Sequence, residues 1–142
     1  MTNRSSMQTT AVIRYLLVIH ELDKDESGAR SVDIAARLQV TKPSVHTMLK
    51  TLVQKNFAAR EKYEAVHLTA EGRALTEKYA QCYELLCKKL IRALQLPLED
   101  CRNVACAVLS ETTEERLPWL FEKLCSSPCK DCTWKNQEFA NV

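Results

Sequence analysis

The sequence predicts a mainly α-helical protein built on a winged helix-turn-helix, with further helices after it. Two apolar runs at helical spacing lie close together in residues 31–52, and two short alternating runs follow them. The chain of 142 residues contains only two Gly and four Pro, which argues against an all-β fold rich in loops. This length suits one domain, or a small domain joined to an assembly element.

The helix-turn-helix and its wing lie between residues 31 and 69. The gap between the two short helices, residues 39–42, has the length of the turn in such a motif. Thr41 can cap the second helix, and Pro43 is tolerated in its first turn because backbone N–H groups there lack partners. Residues 57–60 and 65–68 alternate like the strands of a hairpin, with residues 61–64 at its tip.

This order of elements predicts that the second helix enters a DNA major groove with its first residues. Residues 42–62 contain Lys42, Lys50, Lys55, Arg60 and Lys62 against the single acid Glu61, and such an excess suits phosphate contacts. The alternative is a protein-binding winged helix with ordinary solvated lysines. The predicted DNA-binding residues are Thr41, Lys42, Pro43, Ser44, His46, Thr47, Lys50, Arg60, Lys62 and Tyr63.

Helices are predicted on both sides of this motif. One covers residues 7–22, and a long one capped by Thr69 covers residues 70–94, with apolar residues on two faces. Pro97 is expected to start the next helix, and a capping box at residues 112–115 to start the last. The expected organisation is a winged-helix DNA-binding domain (1–72), a helical domain (73–124) and a Cys-rich tail (125–142).

The bulk composition limits the location and the chemistry. No apolar run is long enough to span a membrane and no signal peptide is visible, so we expect a cytoplasmic protein that does not contact membranes. The chain contains seven Cys. Because a reducing compartment disfavours structural disulfides, these Cys indicate metal or redox chemistry.

Three blocks make the chain resemble the DtxR/MntR family of metal-dependent transcriptional repressors over about residues 7–124. They are VDIAARLQVTKPSVHTMLKTL, EKYEAVHLTAEGRAL and the helical segment that closes on VLS. The resemblance implies a homodimer, a C-terminal helical dimerisation domain and a metal bound between the two parts. It also implies that Pro43 and Thr47 contact bases, which specifies the DNA sequence. Ser44 and Lys50 would contact phosphate groups, which positions the protein on the duplex.

The metal ligands that the resemblance implies are not matched in this chain. They would come from the first helix, the long helix and the helix after it, and the oxygen and nitrogen set expected for Mn or Fe is absent. Two thiols there favour Zn, Cu(I) or an iron–sulfur cluster instead. The residues found at these positions are Thr9, Val12, Cys82, Asn103, Cys106 and Ala107.

A second group of thiols follows the last predicted helix, in the spacing Cys125-x3-Cys129-x2-Cys132. Zinc and iron–sulfur sites usually need four such ligands. We expect Cys101 to be the fourth, because a short link should make the last two helices antiparallel neighbours. Cys82 and Cys106 are alternative fourth ligands, and each could instead be a small buried apolar residue.

These features predict a DNA-binding transcriptional regulator, a repressor, controlled by Zn²⁺ or an Fe–S cluster bound to Cys. Its partners would be double-stranded DNA and a second copy of the chain. Two alternatives remain, namely a thiol redox switch without metal and an interaction module that does not bind DNA. An enzyme is disfavoured because the chain is too short for a radical-enzyme barrel and shows no Gly-rich cofactor loop.

Overall fold

The computed structural model describes residues 7–60 and 65–126. It confirms the predicted winged helix-turn-helix followed by a helical region. The elements in chain order are α1 (Thr10–Leu22), α2 (Ser31–Leu38), α3 (Lys42–Gln54), β1 (Ala58–Arg60), β2 (Val66–Leu68), α4 (Ala70–Leu94), α5 (Leu98–Ser110), a 3₁₀ turn (Glu114–Arg116) and α6 (Leu117–Ser126).

The turn between α2 and α3 is fixed at both ends. Gln39 ends α2 in the left-handed conformation at φ 55°, a conformation that commonly terminates helices. The Thr41 hydroxyl accepts a hydrogen bond from the Ser44 amide at 3.4 Å, so the predicted N-cap of α3 is confirmed. Val45 and Leu52 are fully buried beneath this helix, and their burial holds α3 against the core.

The wing is a two-stranded antiparallel sheet in which Ala59 faces His67. Each strand is one residue shorter than predicted, and the tip at residues 61–64 lies outside the described residues. Ala29, in the segment after α1, exchanges two backbone hydrogen bonds of 2.8 Å with Val66. The wing is therefore joined to the segment that precedes α2.

Helix α4 begins in direct contact with the wing. The Thr69 hydroxyl accepts from the Gly72 amide at 3.0 Å and donates to the Asn56 carbonyl at 2.6 Å. A Cβ on Gly72 would lie 1.9 Å from the Phe57 carbonyl oxygen. Because only Gly lacks this atom, the close approach depends on Gly72.

The core has two parts that meet along α4. The larger contains residues of α1, α3 and α4, such as Ile13, Leu52 and Tyr79, and it also reaches α5 and α6. The smaller lies between α4 and α5 and consists of Cys87, Cys101 and Ala105. The prediction that α4 is apolar on two faces is therefore confirmed.

The C-terminal part differs from the prediction at three points. Pro97 is the N-cap of α5 rather than its first residue. The capping box does not form, because Thr113 makes no capping bond and the Thr112 hydroxyl donates to the Val108 carbonyl at 2.7 Å. Helix α6 packs against α4 and not as an antiparallel neighbour of α5. A short link limits how far apart two helices lie, but it does not decide which neighbour each one packs against.

Helices long and apolar enough to cross a membrane are not found in residues 7–60 and 65–126.

Candidate nucleic-acid interface and thiol region

The start of α3 is an exposed polar surface. Its first turn contains no acidic residue, and Pro occupies one of its first two positions. A helix N-terminus has partial positive charge and free N–H groups, so this surface is suited to anionic groups. The predicted contact residues that are exposed here are Thr41, Lys42, Pro43, Ser44, His46, Thr47 and Lys50.

Hydroxyl groups in this surface are already oriented by internal bonds. The Thr47 hydroxyl donates to the Pro43 carbonyl at 3.0 Å, and the Thr41 and Ser44 hydroxyls are 2.9 Å apart. Because its proton is used internally, the Thr47 oxygen faces solvent as an acceptor, next to its methyl group. This arrangement suits a base edge that carries a hydrogen-bond donor.

Arg60 brings the wing to the same surface. Its Nη1 lies 3.1 Å from His46 Nδ1 on α3. The two side chains line a cleft of about 590 Å³ together with Lys42 and Arg30, and Arg60 also borders a groove that contains Lys50. The structure therefore joins these basic side chains into one surface. The other two predicted contacts, Lys62 and Tyr63, lie outside the described residues.

Arg30 also lines this cleft, but the sequence did not identify it as a contact residue. It lies just before α2 and forms an ion pair of 3.0 Å with Asp33. In the sequence it follows an acidic loop and shows no helical pattern. Its place beside Lys42 depends on how the segment after α1 packs on the wing, which local pattern does not reveal.

Asp23 is a second missed residue, and it holds the wing in place. Its side chain is 1% exposed. One carboxylate oxygen accepts from the Gly28 amide at 2.9 Å and lies 3.2 Å from His67 Nδ1, and the other lies 3.4 Å from Arg73. The carboxylate therefore ties the end of α1 to β2 and α4. Buried charges need such partners, but an Asp in an acidic loop gives no signal of this role.

The described thiols divide into buried and exposed groups. Cys82, Cys87, Cys101 and Cys106 are buried, and Cys125 is exposed at the end of α6. Burial raises the pKa of the Cys82 and Cys87 thiols to about 11. Because the thiolate is the metal ligand and the nucleophile, these buried thiols are poorly suited to either role unless a metal replaces their protons.

The helix packing decides which thiols approach one another. Cys125 on α6 is close enough to α4 to contribute to the raised pKa of Cys82. Cys101 instead contributes to the raised pKa of Cys87, in the smaller core cluster. The helix pairing that favoured Cys101 as a ligand beside Cys125 is therefore wrong. Cys129 and Cys132 lie outside the described residues, so the four-Cys site remains a prediction.

The side chains between α1 and α5 do not fit Mn²⁺ or Fe²⁺. Arg14 Nη2 donates to Asn103 Oδ1 at 2.6 Å. Burial raises the pKa of the Cys106 thiol, and the charge of Arg14 opposes that shift. Val12 is a buried apolar residue. Within residues 7–60 and 65–126, no three His, Cys, Asp or Glu side chains are grouped to hold a metal ion.

Comparison with known proteins identifies the family. Residues 7–66 match the family model "Iron dependent repressor, N-terminal DNA binding domain". The transcriptional regulator MntR of Geobacillus kaustophilus is 32% identical over 114 residues, which cover 80% of this chain and 76% of that protein. The chain belongs to the DtxR/MntR family of metal-dependent transcriptional repressors. MntR of Escherichia coli O6:H1 is 31% identical over 103 residues, covering 72% of this chain and 66% of that protein.

A solved structure supports the same fold for this DtxR/MntR family member. The manganese regulator SloR matches with a TM-score of 0.67 at 21% identity, covering 80% of this chain and 53% of SloR. The chain therefore spans about half the length of that structure. The curated relatives are transcriptional regulators, and the prediction that the chain is not an enzyme is confirmed.

Proposed function

We propose that this protein is a homodimeric transcriptional repressor that reads double-stranded DNA with the first turn of α3. The observation that carries the proposal is the exposed start of that helix, which has no acid in its first turn and lies beside Arg60 of the wing. Family membership supports the same function. Because such a regulator must reach the chromosome, we place it in the cytoplasm.

The side chains divide into two kinds of DNA contact. Lys42, Lys50 and Arg60 supply positive charge along the exposed side of α3, where DNA phosphates would lie. Pro43 and Thr47 supply an apolar surface and an acceptor for base edges. We keep Lys62 and Tyr63 at the wing tip as proposed backbone contacts.

The proposed dimer forms through the helical domain, residues 73–124. Val104 and Val108 lie one turn apart on α5 and are 39% and 37% exposed, and Leu94 at the end of α4 is 62% exposed. Such apolar side chains support burial against a second copy. A twofold axis would place two α3 helices in successive major grooves, about 34 Å apart.

We propose a thiolate-bound transition metal, Zn²⁺ or an Fe–S cluster, as the controlling ligand. Cys125, Cys129 and Cys132 would supply three thiolates. The exposure of Cys125 and the packing of α6 against α4, the helix that contains Cys82, support Cys82 over Cys101 as the fourth. When bound, the metal would fasten the tail to α4, which also contacts the wing.

DNA binding is tested first by selecting ligands from a random duplex library and measuring affinity by fluorescence anisotropy. Lys50→Ala and Arg60→Ala should weaken binding to all selected duplexes similarly and lower the salt slope by about 1 each. Thr47→Ala should reduce discrimination at one position. Lys123→Ala, on exposed α6, removes the same charge and should change little. Absence of salt-dependent duplex binding would instead favour a protein-interaction module.

The proposed controlling ligand is tested by anaerobic purification of the protein followed by metal and sulfide analysis. Acid-labile sulfide and a brown colour identify a cluster, whereas stoichiometric zinc without sulfide identifies a zinc site. Cys125→Ser should lose the metal, and Cys87→Ser, in the separate core cluster, should keep it. A metal-free protein that releases DNA on oxidation would replace this proposal with the thiol redox switch.

A further inference from the structure

The contact between α1 and α5 contains a cationic side chain of the protein itself. Arg14 lies on the solvent side of α1, and its guanidinium reaches across to Asn103 on α5. The N–O distance of 2.6 Å is short for a hydrogen bond of this type. The two helices also pack directly against each other, so this bond joins the winged-helix domain to the helical domain.

The surrounding groups leave little for a divalent cation to bind. The Thr9 hydroxyl already accepts from the Val12 amide at 3.2 Å as the N-cap of α1. The Asn103 oxygen is occupied by Arg14, and Ala107 has no ligand atom. Cys106 is buried and interacts with the same guanidinium. A guanidinium therefore already supplies positive charge at this contact.

We infer that Arg14 takes the place of a bound divalent cation, linking α1 to α5 without any metal there. An Arg side chain keeps its proton throughout the physiological pH range. The charge at this contact is therefore constant, and the link does not depend on the supply of Mn²⁺ or Fe²⁺. Its consequence for DNA affinity rests on the proposed function, but the link itself can be tested without DNA.

The first measurement is amide hydrogen exchange on the full chain. Arg14→Ala should speed exchange in the part of α1 around residue 14 and in α5, because the bond between the helices is lost. Lys78→Ala is the matched control, since it removes an exposed cation 3.2 Å from Glu114 that also joins two elements. The Lys78→Ala control should leave the rate of amide hydrogen exchange in α1 and α5 unchanged. Equal exchange in the Arg14→Ala variant and the wild type would overturn the inference.

The second measurement is a Mn²⁺ titration followed by electron paramagnetic resonance, in which free Mn²⁺ gives the signal. The wild-type protein should leave that signal unchanged. Stoichiometric Mn²⁺ binding that Asn103→Ala abolishes would show that a cation does occupy this contact, and the inference would be wrong.

The last measurement uses the duplexes selected above. Wild-type affinity should be the same with and without added Mn²⁺, and Arg14→Ala should bind about tenfold more weakly in both conditions. Activation of the wild type by Mn²⁺ would overturn the inference. If the wild type binds no duplex at all, the proposed function fails, and the exchange and Mn²⁺ results still decide the role of Arg14.

Discussion

The winged-helix region and the region after α4 are stabilised in different ways. In the first, polar side chains cap backbone groups where the chain turns, as Thr41 does for Ser44 and Asp23 for Gly28. In the second, Thr113 makes no capping bond, and the core between α4 and α5 consists of small residues such as Cys87 and Ala105. The winged-helix region thus adds side-chain caps at its turns to a buried core, whereas the region after α4 depends mainly on side-chain packing.

The sharpest test of the first region is Gly72→Ala, because the new methyl group would collide with the Phe57 carbonyl oxygen. Backbone groups on both sides prevent an easy shift. We expect a loss of about 4 kcal/mol in the free energy of unfolding, above the usual range for overpacking. Urea denaturation followed by circular dichroism measures this loss.

Ala74→Gly, at an exposed position of the same helix, is the control for Gly72→Ala. It should cost only about 1 kcal/mol through helix propensity. Similar losses for the two variants would mean that the wing can move away from α4, and that the two regions are less firmly joined than the Thr69 and Gly72 contacts indicate.

The second test concerns the thiols of the packing-dominated region and uses alkaline pH. Burial raises the pKa of Cys82 and Cys87 to about 11, whereas unfolding returns it to about 9. Below pH 9 both thiols are protonated in the folded and the unfolded states, and their full contribution to the free energy of unfolding is present. Above pH 9 the unfolded state loses protons first, so stability falls by roughly 1.4 kcal/mol per thiol at pH 10.

Urea denaturation at pH 8 and pH 10 measures this loss. Cys87→Ala should reduce the difference in the free energy of unfolding between the two pH values by about 1.4 kcal/mol, whatever its effect on stability at pH 8. A Cys87→Ala variant with the full wild-type pH dependence would show that ionisation of Cys87 does not contribute to the alkaline loss of stability.

The same difference between the two regions explains which features could be predicted from the sequence alone. Apolar spacing and two Thr caps were enough to predict α3 and α4, because these signals act within one turn of helix. Arg14 and Asp23 escaped notice because their partners on other elements lie far away along the chain. Arg30 escaped notice because its place beside Lys42 depends on tertiary packing. The pairing of α6 with α4 could not be read from the short link before α6, so Cys101 was placed beside Cys125 on the basis of the wrong pair of helices.

The smallest effect, and the most direct comparison, comes from two threonines that precede helices. Thr69→Ala removes the cap on Gly72 and the bond to Asn56, and it should cost about 1 kcal/mol or slightly more. Thr113→Ala, at a position with no capping bond, should change stability by less than about 0.5 kcal/mol. Thermal denaturation of both variants at pH 7 measures the difference. If Thr113→Ala were as costly as Thr69→Ala, a cap would form at residue 113 in solution. The region after α4 would then depend on local backbone bonds as much as the winged helix does.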